Sequence, residues 1–119
     1  MNSQDFVAAI EAHVRDAAID GTIRNMQSPP GRKIPPSMQM RSDWYNNLSG
    51  KDAAYVREVI SSAVHASLFG LLAVLDGART IDQENGRFEL YYVAPNDRQL
   101  LNPSSIDLHD LLAPIQATK

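Results

Sequence analysis

A chain of 119 residues with a net charge of −3, 44% hydrophobic residues and no cysteine has the size of one domain and can bury a core without covalent staples. The missing thiols exclude disulfides, iron–sulfur clusters and cysteine-ligated zinc, and the acidic balance argues against a protein that coats nucleic acid. Met1-Asn2-Ser3-Gln4-Asp5 lacks the basic and apolar regions of a secretory leader, so a cytoplasmic location is expected.

Helical spacing of Phe6, Ile10, Val14, Ala17 and Gly21, with Val7 and Ala18 beside them, predicts an amphipathic helix from about residue 3 to residue 25. Asn2 with Asp5 can cap its start. Gly21 weakens the last turn, and Ser28-Pro29-Pro30-Gly31 stops it. His13, Asp16, Asp20 and Arg24 follow one another along one edge. A metal or acid–base site would need a third ligand at a defined spacing, which the chain does not supply, so a solvated face with an Asp20–Arg24 pair is the expectation.

Residues 27–42 hold four of the prolines and read as a long, proline-stiffened loop. Residues 21–42 carry Arg24, Arg32, Lys33 and Arg41 with no acid. Trp44 and Tyr45 follow in a short turn introduced by Ser42. Cations beside aromatic and methionine side chains suit a recognition surface, which makes Arg24, Arg32, Lys33, Arg41, Trp44 and Tyr45 candidate binding residues. Against this stands a plainer reading, in which the prolines bridge two helices and Trp44 and the methionines fill the core.

Ser49 followed by Asp52 opens a long helix over residues 51–76, and Asp76-Gly77 closes it. Val56, Ile60, Ala63, Ser67, Leu71 and Val74 form its expected buried face. Glu58, His65 and Asp76 form the opposite polar pole, which Phe69 and Leu72 invade in the second half. Ser62, Ala66, Gly70 and Ala73 make a small-residue face that the first helix could approach. From Val59 to Leu75 there is no charge, yet Ser61, Ser62, His65, Ser67 and Gly70 interrupt the run. It also falls short of the about 20 residues that a membrane span requires, so a buried core helix is expected. Phe69 and Leu72 are candidate interface residues for a homo-oligomer.

After Gly77 the period changes to two. Arg87–Val93, the turn Ala94-Pro95-Asn96-Asp97 and Arg98–Asn102 predict a β-hairpin lying over Phe69 and Leu72. A last short helix spans Asp107–Leu112, ended by Pro114. The fold class expected is α+β: two long antiparallel helices on a small antiparallel hairpin with a short C-terminal helix, all within one domain of residues 1–119.

No motif names a reaction. Ser61 and His65 lack a nucleophile elbow and an orienting acid, and Gly50-Lys51 lacks the upstream glycine of a phosphate loop. His109 lies in a leucine-rich turn. No catalytic residue, metal site or cofactor is assigned. The segments Leu68–Gly77, Phe88–Tyr92 and Leu108–Leu112 together resemble small bacterial proteins of uncharacterised function, some encoded near toxin systems. That resemblance implies a bacterial cytoplasmic protein and transfers no catalytic residue. The function expected is a non-enzymatic, immunity-like or regulatory interaction protein that binds no nucleic acid or membrane. It would act through the basic loop or through an apolar helix face that also dimerises it. The alternative is a small-molecule-binding module or minor hydrolytic enzyme using His13 or His65 with nearby carboxylates.

Overall fold

The computed structural model describes residues 1–115. Asn2 opens the first helix, α1 (Ser3–Ile10), as a capping box: its side chain accepts from the Asp5 amide at 2.8 Å, and the Asp5 carboxylate accepts from the Asn2 amide. The helical run continues through a π-helical stretch, Glu11–Asp16, into α2 (Ala17–Gln27). Gly21 does not end it.

The π stretch explains which side chains are buried. Val7 and Ile19 would stand about 120° apart on an unbroken α-helical wheel. A π turn accommodates one extra residue and turns everything after it by about 100°. The buried line therefore runs Ser3, Val7, Arg15, Ile19, Ile23 and Met26, not through Val14, Ala17 and Ala18, which are exposed.

The loop is shorter than expected. Pro36 is the first residue of α3 (Pro36–Asn46), a position where its missing N–H and fixed φ are no handicap. Only residues 28–35 separate α2 from α3. Ser42 is buried and, with Asn46, donates to the Gln27 carbonyl, which ties α3 back onto the end of α2.

The long helix, α4 (Gly50–Leu75), starts where Ser49 accepts from the Asp52 amide at 3.1 Å and stops at Asp76, followed by Gly77 at φ 78°. Its buried face differs from the wheel's. Leu71 is 56% exposed, whereas Leu72 is 2% exposed and lies inside the chain's own core. Gly70 and Ala73 are buried while Ser62 and Ala66 are exposed, so the small-residue face does not receive the first helix. Arg79 lies on Gly70 instead, close enough that a Cβ there would stand 2.5 Å from its Nη1.

Two antiparallel strands, β1 (Tyr91–Ala94) and β2 (Asp97–Leu100), pair Tyr91 with Leu100 across a two-residue turn. Tyr91, Tyr92 and Val93 are exposed; the hairpin does not blanket Phe69 and Leu72. Beyond it, α5 (Leu108–Leu111) seats Leu108 and Leu112 against Val7 and Leu72.

The fold is thus α+β, with one helix of 26 residues and a helical run of similar length containing the π stretch. The core is divided. One cluster gathers Val7, Leu72, Leu108 and Leu112 with Phe6 and Leu68 at its edge. The other gathers Ile19, Ile23, Met26 and Tyr45 with Val56, Ile60 and Val64. The radius of gyration is 18.3 Å, against about 13.5 Å for a compact chain of this length.

Candidate functional site

Between the two apolar clusters lies a polar bridge. On the first helical run Arg15 falls between Val7 and Ile19, and on α4 His65 falls between Val64 and Leu68. The Arg15 guanidinium reaches His65 Nδ1 at 3.3 Å, Asp16 Oδ1 at 3.2 Å and the Ala113 carbonyl. Because guanidinium only donates, His65 Nδ1 must accept, which leaves the proton of the neutral ring on Nε2. His65 therefore orients toward the first helical run, not toward Glu58 or Ser61 as a nucleophile–base pair would.

Phe69 continues the line. It stacks on His65 with ring centroids 6.4 Å apart and receives His109 edge-on at 5.3 Å and 81°. His109 Nδ1 is 2.6 Å from Asp76 Oδ2, which also accepts the His109 amide at 2.9 Å. Asp76, placed by sequence on the polar pole and at the close of the helix, is the C-cap of α4, and its side chain is fully buried. Asp107 brings a third donor, so that one ligand atom each from Asp76, Asp107 and His109 lies within 4.8 Å of the others. Asn102 ties this end together by donating to the Leu75 and Phe88 carbonyls and accepting from the Leu90 amide.

The sequence-predicted candidates are dispersed. Arg24, Arg32, Lys33 and Arg41 are exposed on α2, the short loop and α3. Trp44 is 53% exposed and remains available for recognition, but Tyr45 is 8% exposed and belongs to the second core cluster. One of the adjacent aromatics is thus on the surface and the other in the core. His13 is exposed, and Asp20 pairs with Arg57 of α4 at 2.9 Å, not with Arg24. Phe69 is partly exposed between the two histidines, while Leu72 is withdrawn from any outer surface.

A different surface takes shape along α4. Tyr55, Val59, Ala63, Ser67 and Leu71 recur every four residues, and all are uncharged and exposed. They form one continuous i±4 ridge, the element that interdigitates when two helices pack in the commonest geometry. At its lower end Ala63, Ser67 and Leu71 join Val14 and Leu68 to line an apolar groove of about 420 Å³. By length and composition α4 could cross a membrane, and only 17% of its most apolar 18-residue window is buried. The expectation of a buried core helix therefore holds for one side of α4 only. Periodicity locates an apolar stripe but does not say which of two apolar stripes the rest of the chain covers.

Arg15 and Asn102 carry no motif, and only their long-range partners make them visible. Asp76 and His109 were noted individually, but nothing in their spacing shows that they meet. Comparison with protein-family models, with curated proteins and with solved structures gave no match.

Proposed function

We propose that this is a non-enzymatic interaction protein that acts as a dimer, with the exposed ridge of α4 packed against the same ridge of a second copy. The observation that carries the reading is the uncovered ridge itself, on which Tyr55, Val59 and Leu71 are 53%, 69% and 56% exposed. A standard interface hides about 800 Å² on each partner, and obligate dimers hide more.

Self-association suits the ridge for three reasons. It carries no charge from Val59 to Leu71, so two copies meet without repulsion. Ala63 and Ser67 at its centre let two backbones approach closely. An isologous contact also requires one surface to complement itself, which a single regular ridge does. Trp44, Met40 and Arg41 stay exposed on α3 as a separate surface for an acidic protein partner.

Sedimentation velocity over a range of concentrations tests the dimer. Wild-type protein is expected to sediment as a dimer at micromolar concentration, and Val59→Glu as a folded monomer with an unchanged circular dichroism spectrum. A wild-type chain that stays monomeric at high micromolar concentration overturns the reading. So does flotation with phospholipid vesicles that Val59→Glu abolishes while the wild-type chain in solution is monomeric, since the ridge would then face lipid.

A further inference from the structure

We infer that Asp76, Asp107 and His109 form a binding site for one divalent transition-metal ion of the zinc type. The side chain of Asp76 is fully buried, and among the described residues its Oδ1 is a buried oxygen without a hydrogen-bond partner. A buried carboxylate oxygen is costly to leave unsatisfied, more so than a neutral one. Its neighbour makes the arrangement stranger in the absence of a ligand. Asp107 occupies the N-cap position of α5, yet its side chain makes no capping hydrogen bond. Instead its carboxylate lies within 4.8 Å of donor atoms of Asp76 and His109. Asp76 Oδ2 is already served by the His109 amide and ring, so it is Oδ1 that lacks a counterpart.

The donor set selects the kind of cation. Two carboxylates and an imidazole suit zinc and its neighbours, whereas magnesium and calcium favour oxygen alone. Zinc holds oxygen and nitrogen donors at about 2.0–2.2 Å, so ligand atoms around it stand roughly 3.3–3.5 Å apart. Closing a 4.8 Å set onto the ion takes about an ångström of movement from Asp107, which is exposed and whose side chain is not engaged in a cap. His109 Nδ1 is hydrogen-bonded to Asp76 Oδ2 at 2.6 Å, closer than two ligands of one ion stand, so metal entry replaces the shared proton and spreads the pair by about 0.8 Å. His109 Nε2 lies 3.4 Å from Asp110 Oδ1, the carboxylate partner that ligating histidines commonly use to fix their tautomer. A cavity of about 180 Å³ is lined by Asp76 and Asp107 but not by His109, and because the Asp76 side chain is enclosed an ion reaches it only as Asp107 moves. Arg87 also lines that cavity and opposes the ion. Its guanidinium, however, is directed to the Asn102 carbonyl.

Isothermal titration of the full chain with zinc chloride, followed by ¹⁵N spectra of the histidine rings, tests the site. One ion per chain is expected, with the His109 ring nitrogens shifting and those of His13 unmoved. Asp107→Asn, at an exposed position that keeps an N-cap residue, should weaken binding by about tenfold or more. His109→Gln should do the same, and His13→Ala should have no effect. The inference is overturned if zinc fails to bind saturably at millimolar concentration. It is equally overturned if binding survives both Asp107→Asn and His109→Gln, or if His13→Ala abolishes it. Circular dichroism confirms folding of each variant, and the outcome is independent of whether the chain dimerises.

Discussion

Arg15 and Ala113, 98 positions apart, are joined through the Ala113 carbonyl, which accepts from Arg15 Nη1. The amide of the same residue donates to Glu11 Oε1 at 2.7 Å. Two side chains of one π-helical stretch thus take both the backbone amide and the backbone carbonyl of one residue, in the manner of a neighbouring strand. The stretch has a structural consequence beyond this clamp. It turns α2 so that both helical segments bury a face against α4, and it sets Arg15 at the seam between the two core clusters.

Replacing Arg15 with Met keeps the packed stem and removes the donors, so a loss of about 1–3 kcal/mol is expected. Glu11→Ala should cost less, about 1 kcal/mol, while speeding hydrogen exchange at the Ala113 amide. Urea titration and amide exchange measure the two effects. An Arg15→Met variant as stable as wild type would show that the apolar clusters hold the helices without the bridge.

Neighbouring leucines on α4 give a sharper contrast. Leu72 is fully enclosed by Val7, Leu108 and Leu112, so Leu72→Ala should lose about 2–5 kcal/mol. Leu71, on the outer ridge, should lose less than about 0.5 kcal/mol as a monomer. In the proposed dimer its loss would appear as weaker association, so denaturation at two protein concentrations separates the contributions. Equal losses at both positions would contradict the assignment of faces.

The single tryptophan reports on the exposed side of α3. Trp44 is exposed and Tyr45, its neighbour in sequence, is buried. Fluorescence of the free protein should therefore peak near the wavelength of solvated indole and be readily quenched by acrylamide. A blue-shifted, protected emission would place Trp44 in an interface. Trp44→Ala should leave stability within about 0.5 kcal/mol of wild type.

Local chemistry was legible where it acts over a few residues. Asn2 with Asp5, Ser49 with Asp52, and Gly77 mark helix ends because their effect lies within one turn, and the turn at Pro95 and Asn96 follows from an abrupt change of period. Pro36 was misleading, since a proline that ends one helix and a proline that begins the next look alike in a run of prolines. The wheel failed on the first helical run because it assumed a constant 100° per residue, and no residue in Glu11–Asp16 announces a π turn. The candidate sites were the least visible. Arg15 meets His65 and Ala113, and Asp76 meets His109, across separations that only the packing of helices determines.

Asn102 tests how far one polar side chain can organise the end of α4. Its amide donates to the Leu75 carbonyl, left over at the helix terminus, and to the Phe88 carbonyl, while its oxygen accepts from the Leu90 amide. It is 5% exposed, so water cannot readily replace these bonds. Asn102→Leu preserves volume and leaves three backbone groups without partners, and should cost about 3 kcal/mol or more. Asn102→Asp keeps the acceptor and loses both donations, and it adds a negative charge near Asp76 and Asp107. If those carboxylates hold a cation, zinc should stabilise both variants, and Asn102→Asp by more than Asn102→Leu because the added charge also attracts the ion. Thermal melts of both variants with and without zinc measure the difference, and an equal response in the two would argue that the added charge lies outside the reach of the ion.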